Sequence, residues 1–142
     1  MGNIYPGKSI VMPKSSGETP HLWVVVTEPE GTPPEAVIVN LTSRKPDSDT
    51  TVVLNVGDHP FITHETIVFY ADATLAKTDG IEALSRFRGY GYHDDFDPEV
   101  LERIKQGLID SRNTPKDIKA YCRARFTSDQ AHQAAAIPPI SS

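Results

Sequence analysis

The sequence predicts an α+β domain, or a small barrel with helices appended. Three observations carry that expectation. Up to about Asp72 the apolar residues come in short β-like runs broken by proline and glycine. From Asp79 onward the apolar period becomes helical. Asp97-Pro98 and Thr114-Pro115 each place a capping side chain before a proline, the usual opening of a helix. Strands first and helices last is the order of an α+β arrangement.

Taken in order, Ser9 to Met12 predicts a short strand. His21-Leu22-Trp23-Val24-Val25-Val26-Thr27 is apolar on both faces and predicts a central strand covered on both sides. Glu28 to Glu35 holds Pro29, Gly31, Pro33 and Pro34 and must be a loop. Ala36 to Thr42 alternates, with Val37, Val39 and Leu41 on one face and Ile38, Asn40 and Thr42 on the other. Ser43 to Asp49 reads as a charged hairpin loop, Thr50 to Val56 as a returning strand, and Thr66 to Asp72 as the last clear strand. Ile81, Leu84 and Phe87 mark a short helix closed by Gly89. Val100, Leu101, Ile104 and Leu108 stripe a second helix, and Ile118, Tyr121, Cys122 and Phe126 a third, with Asp117 placed to complete its cap. The joint between these two is short, so they predict an antiparallel hairpin lying on the sheet. The expected organisation is one domain over 1–127, with the β-barrel at 5–76 and helices at 79–126, then a flexible low-complexity tail at 128–142.

At 142 residues the chain suits one domain with a core. No apolar run approaches the roughly 20 residues that span a bilayer, and Ile10-Val11-Met12 runs directly into Pro13-Lys14 without a leader's apolar stretch. A soluble, cytoplasmic protein without membrane partners is expected. The lone Cys122 has no disulfide partner and falls on an apolar helix face, which reads as a buried thiol in a reducing compartment. The net charge of −5 argues against non-specific nucleic-acid binding by the whole molecule. Between Glu99 and Phe126, however, seven basic residues face four acidic ones, so the helical end is the basic part.

The densest chemistry lies in Asn55-Val56-Gly57-Asp58-His59-Pro60-Phe61-Ile62-Thr63-His64-Glu65, two histidines and two carboxylates in one connector. Loops displayed on a scaffold are where chemistry concentrates, and histidine moves protons near neutral pH or ligates metals. Gly-Asp-His-Pro is also plain turn chemistry. Gly89 to Asp97 carries Tyr90 and Tyr92, which can stack on bases, but its acidity and position read better as a helix connector with packed aromatics.

Three segments together, Pro20 to Thr27, Val37-Ile38-Val39-Asn40-Leu41-Thr42-Ser43, and Thr66-Ile67-Val68-Phe69-Tyr70-Ala71-Asp72, resemble the MazF/PemK toxin family over roughly residues 5 to 76. The resemblance implies a small SH3-like antiparallel barrel, single-stranded RNA as substrate, an antitoxin protein as partner and a homodimer. It implies Thr42 and Ser43 as phosphate donors, Asp72 as the acidic residue closing the last site strand, and His21 at the second strand. The family's arginine is missing: Tyr70 and Pro20-His21 stand in those places, so Arg44 or Lys45 supplies the cation from the adjoining loop. The histidine-rich loop and the helical end lie outside the compact family pattern.

Cleaving RNA without a metal or other cofactor needs a base for the 2′-hydroxyl, an acid for the leaving oxygen, and donors or a cation for the added phosphate charge. The expected catalytic set is His64, His59 and Asp72. The expected substrate-binding set is His21, Thr42, Ser43, Arg44 and Tyr70. Two other classes stay open: a non-catalytic SH3-like binding module of a toxin-antitoxin or phage-related system, using the apolar and basic faces of the hairpin, and a metal-dependent hydrolase built on Asp58, His59, His64 and Glu65, with His21 or His93 joining.

Overall fold

A computed structural model describes residues 4–13, 19–87 and 90–136, with side chains through Thr127. Among the described residues six strands, β1 (Ser9–Met12), β2 (His21–Val25), β3 (Glu35–Ser43), β4 (Val53–Leu54), β5 (Thr66–Lys77) and β6 (Gly91–His93), form one antiparallel sheet in the order β4-β5-β3-β2-β1-β6. The sheet curls into a half-barrel. The described residues also form three helices: α1 (Thr78–Leu84), α2 (Pro98–Asp110) and α3 (Lys116–Ala136). The α+β class agrees with the sequence expectation; the strands-then-helices order is broken once, by β6, which follows α1.

Alternation sorts the core into two layers. Leu22 and Val24 of β2, with Val37, Val39 and Leu41 of β3, face α2 and α3 and meet Ile104, Leu108 and Cys122. Trp23 and Val25, with Ala36 and Ile38, face the opposite way and pack with Ile81 of α1. The central position of β2 and its two covered faces follow directly from its apolar run. Burying each such aliphatic side chain contributes about 1.5–3 kcal/mol, so the two layers hold the sheet from both sides.

Several boundaries differ from the expectation for identifiable reasons. The returning strand Thr50 to Val56 shrinks to Val53–Leu54, because side chains capture the backbone on both flanks. Asp49 Oδ1 accepts from Thr51 N–H at 3.0 Å, and Asp58 Oδ2 accepts from Asn55 N–H at 2.8 Å. β5 continues past Asp72 to Lys77 across a register shift, where Ile38 pairs with Thr74 but Asn40 with Phe69. The connector expected around Gly91 forms β6 on the edge of β1, with Ile10 opposite Tyr92. Asp97 precedes α2 but makes no side-chain cap; its carbonyl accepts from Leu101 N–H at 2.9 Å. Thr114 likewise turns its hydroxyl back to the Leu108 carbonyl at 2.8 Å, joining the end of α2 to the start of α3. The helix α3 continues to Ala136, into the segment expected to be a tail. The expected C-cap Gly89 lies outside the described residues. Among the described residues no helix is long and apolar enough to cross a membrane.

Candidate functional site

The end of the β3–β5 ladder brings the most chemistry together. Ser43 pairs with Thr66 as the ladder ends, and the two departing loops are held side by side by Arg44 N–H donating to the Glu65 carbonyl at 3.1 Å. The Arg44 guanidinium adds an ion pair to Glu65 at 2.8 Å. Across this clasp, Ser43 Oγ and His64 Nε2 are hydrogen-bonded at 2.6 Å, while His64 Nδ1 meets Thr63 Oγ1 at 3.1 Å. The imidazole is thereby held on both nitrogens yet stays exposed.

Beside the clasp opens a concavity of about 460 Å³, lined among others by Thr42, Ser43, Lys45, Asp47, Phe69 and Asn113. Phe69 reaches it because β5 alternates: Val68 and Tyr70 go to the helix side, and Phe69 to the opposite side. Asn113 arrives from the turn between α2 and α3. Asp49 locks that turn to the hairpin loop, its Oδ2 accepting from Ser111 Oγ at 2.6 Å. Burial alone would raise the Asp49 carboxyl, but the hydroxyls of Ser111 and Thr51, the Thr51 N–H and the Asn113 side chain hold it below its ordinary value.

Asp72 stands apart from this lining. Its Oδ2 accepts from Asn40 Nδ2 at 2.9 Å, on the part of β5 beyond Ala71, which does line the concavity. His21 is turned to the Leu41 carbonyl, 3.2 Å from its Nδ1, at the start of β2. Thus Thr42 and Ser43 share one open site, His64 sits at its rim through Ser43, and Asp72 and His21 hold neighbouring backbone and side-chain positions on the sheet.

Two expected site residues belong to the interior instead. His59 is only 3% exposed. Its Nδ1 accepts from Phe61 N–H at 3.0 Å, so Nε2 carries the proton and donates to the Asp94 carbonyl at 2.6 Å. The ring stacks on Phe96 at 4.2 Å, with His93 at 5.2 Å. Desolvation pushes its pKa down, as does His93, against the opposing pull of the Asp94 carbonyl and carboxylate and of Asp97. This is a neutral structural histidine clipping the loop to the segment after β6, and the expectation of a catalytic role for it is corrected. Tyr70, expected to contact substrate, is fully buried, and its hydroxyl donates to the Ile104 carbonyl at 2.7 Å. Its alternation with Val68 already placed it on the core face.

The four alternative metal ligands are also separated. Asp58 pairs with Arg103 at 3.6 Å, His59 has both nitrogens committed, His64 is tied to Ser43 and Thr63, and Glu65 is tied to Arg44. Among the described residues no three His, Cys, Asp or Glu side chains are grouped to hold a metal ion. Phe69, Asp47 and Asn113 are among the lining residues that sequence reasoning missed. The β5 alternation was a signal for Phe69; nothing local marked Asn113, whose place depends on where the helix turn docks. Comparison with protein-family models, curated proteins and solved structures gives no match.

Proposed function

We propose that the protein is a metal-independent endoribonuclease of the MazF/PemK-like toxin type, acting on single-stranded RNA. The observation that carries this reading is the Ser43–His64 hydrogen bond at the rim of a concavity that also holds Thr42 and Lys45. In the reaction the basic nitrogen of His64 exchanges its hydroxyl partner for an RNA 2′-hydroxyl and takes that proton. The 2′-oxygen attacks the adjacent phosphorus, and the 5′-oxygen leaves with a proton from water, giving a 2′,3′-cyclic phosphate and a 5′-hydroxyl. Lys45 and the Thr42 and Ser43 hydroxyls meet the extra negative charge on phosphorus. Arg44, engaged with Glu65, positions the loop, and Asp72 with Asn40 supports the strand that carries the site. An antitoxin-type partner and a homodimer belong to the same proposal.

The test is incubation of a long single-stranded RNA with the purified protein in EDTA, beside His64→Ala and Ser43→Ala variants. Fragments ending in 2′,3′-cyclic phosphate, absent with His64→Ala and reduced with Ser43→Ala, are expected. Intact RNA with the unmodified protein overturns the reading. A second reading, a non-catalytic binding module, draws on the crevice of about 160 Å³ between α2 and α3, where Lys105, Arg123 and Phe126 line the walls. Those cations would accept an acidic segment of a partner protein.

A further inference from the structure

We propose that Ser43 is a nucleophile activated by His64, and that the pair takes the acyl group of small activated esters, thioesters or aryl esters of short carboxylic acids, as an ester on Ser43 Oγ. The side chains are those of the ribonuclease reading, but this activity needs no RNA. A serine hydroxyl becomes a working nucleophile when a base accepts its proton and a third group orients that base. All three stand in line here: Ser43 Oγ is 2.6 Å from His64 Nε2, and His64 Nδ1 is 3.1 Å from Thr63 Oγ1.

The two distances assign the protons. Hydroxyl donors lie roughly 2.5–3.0 Å from their acceptors and N–H donors roughly 2.7–3.2 Å. The shorter contact therefore has Ser43 O–H donating to Nε2, and the longer one has Nδ1–H donating to Thr63 Oγ1. A neutral imidazole carries one proton, so each assignment requires the other. The backbone around the pair is held in place. Thr66 Oγ1 donates to the His64 carbonyl at 2.9 Å, and Arg44 N–H donates to the Glu65 carbonyl at 3.1 Å. Ser43, Thr63 and His64 are all exposed, so a small substrate reaches them directly.

Ser43 also lines the concavity of about 460 Å³, a size within the roughly 300–1,000 Å³ of small-molecule sites. Thr42 and Lys45 share that lining, and among the described residues Thr42 Oγ1 and Lys45 Nζ make no hydrogen bond or ion pair, which leaves donors for a developing oxyanion. In acylation Ser43 Oγ attacks the ester carbonyl carbon while its proton passes to Nε2. The bond from that carbon to the leaving sulfur or oxygen then breaks, and the thiol or phenol departs with the proton from Nε2. Water next attacks the acyl carbon and gives a proton to Nε2, and the carboxylic acid leaves as Ser43 Oγ recovers that proton. Glu65 is engaged by Arg44, so the imidazole is backed by a hydroxyl and not by a carboxylate. Such a base suits leaving groups that need little protonation. The Ser43 alkoxide is a poorer leaving group than a thiolate or phenolate, so the acyl-serine accumulates.

The experiment is reaction of the full chain with 4-nitrophenyl acetate at pH 7.5, following release of 4-nitrophenolate and locating the acetyl group by peptide mass spectrometry. A stoichiometric burst with acetyl on Ser43 is expected. Ser43→Ala should abolish the burst, and His64→Ala should slow it about 10²-fold, the low end of what a general base contributes. Thr63→Val should slow it and Thr63→Ser restore it, a rescue that tests orientation of the imidazole through its Nδ1–H. No burst, a burst unchanged in Ser43→Ala or His64→Ala, or acetyl found only on Lys45 or another side chain overturns the proposal. RNA left intact by a protein that acetylates Ser43 would reject the ribonuclease and leave the nucleophile standing. RNA cleaved by a protein that leaves Ser43 unacetylated would do the reverse.

Discussion

The Tyr70 hydroxyl occupies the space that a β-carbon on Gly107 would need. An ideal Cβ built at Gly107 overlaps Tyr70 Oη and also Val52 Cγ2, because the hydroxyl reaches past Gly107 to the Ile104 carbonyl of the same helix. Glycine in a helix normally costs about 1 kcal/mol relative to alanine, so Gly107→Ala would stabilise an unencumbered helix. Here the sign reverses: overpacking a filled interior costs about 1–3 kcal/mol, and α2 must move off β5. Urea unfolding should show Gly107→Ala less stable than the parent. Tyr70→Phe removes the obstructing oxygen, so the double variant should lose less than the two single losses added together. Additive losses would show that the oxygen is not what excludes the side chain.

His59 makes the fold sensitive to acid. Its pKa is lowered in the folded protein by desolvation first, with His93 adding, while the Asp94 carbonyl, Asp94 and Asp97 act the other way. The unfolded chain therefore binds this proton more readily than the folded one. The stability tied to neutral His59 is complete above the ordinary histidine value of about 6.5 and is lost as pH falls from there toward the folded-state value. Protonation would set an Nδ1–H against the Phe61 N–H that Nδ1 now accepts. Melting temperatures between pH 7.5 and pH 5 should fall more steeply in the parent than in His59→Gln. Parallel slopes would place the acid sensitivity elsewhere.

What was legible in the sequence followed from periodicity. The two-sided apolar run of β2, the alternation of Val37, Val39 and Leu41, and the stripe of Ile104 and Leu108 each found the predicted face. Local hydrogen bonding was not legible. Asp49 and Asp58 took backbone N–H groups that a ladder would have used, and Thr114 turned to Leu108 instead of capping α3. The candidate site divided on burial. His59 and His64 lie five residues apart in one loop, yet packing against Phe96 took the first into the interior and left the second at the rim. Spacing alone does not carry that distinction, since it depends on β6 and the segment after it closing over the loop.

Cys122 should be chemically silent in the native protein. It is fully buried in the layer between the sheet and the helices, and burial pushes its thiol pKa up to about 12, against the weaker pull of Arg125 and Lys105. The thiolate is the reactive species, and both its scarcity and its inaccessibility oppose alkylation. Iodoacetamide at pH 8 should modify the thiol only in step with unfolding, so a folded sample stays unlabelled while a urea-unfolded one reacts completely. Rapid labelling without urea would mean that α3 opens from the sheet under native conditions.

Lys45 offers the sharpest separation of binding from folding. It lies on an exposed hairpin loop, where its backbone N–H donates to Ser48 Oγ at 2.7 Å, and its side chain lines the concavity. Surface substitutions away from packed features usually stay within about 0.5 kcal/mol, so Lys45→Ala should unfold at nearly the same urea concentration as the parent. A lysine that meets an RNA phosphate displaces a counterion, and each such contact contributes about 0.7 to the slope of log affinity against log salt for single strands. Binding of a fluorescent single-stranded RNA to the Lys45→Ala protein, measured across a salt series, should be weaker and show a slope reduced by about that amount. Arg44→Ala supplies the contrast. Its guanidinium is engaged by Glu65, so its removal should change the slope less than removal of Lys45 does. An unchanged slope for Lys45→Ala would remove this lysine from the RNA path and with it the cation assigned to the phosphate.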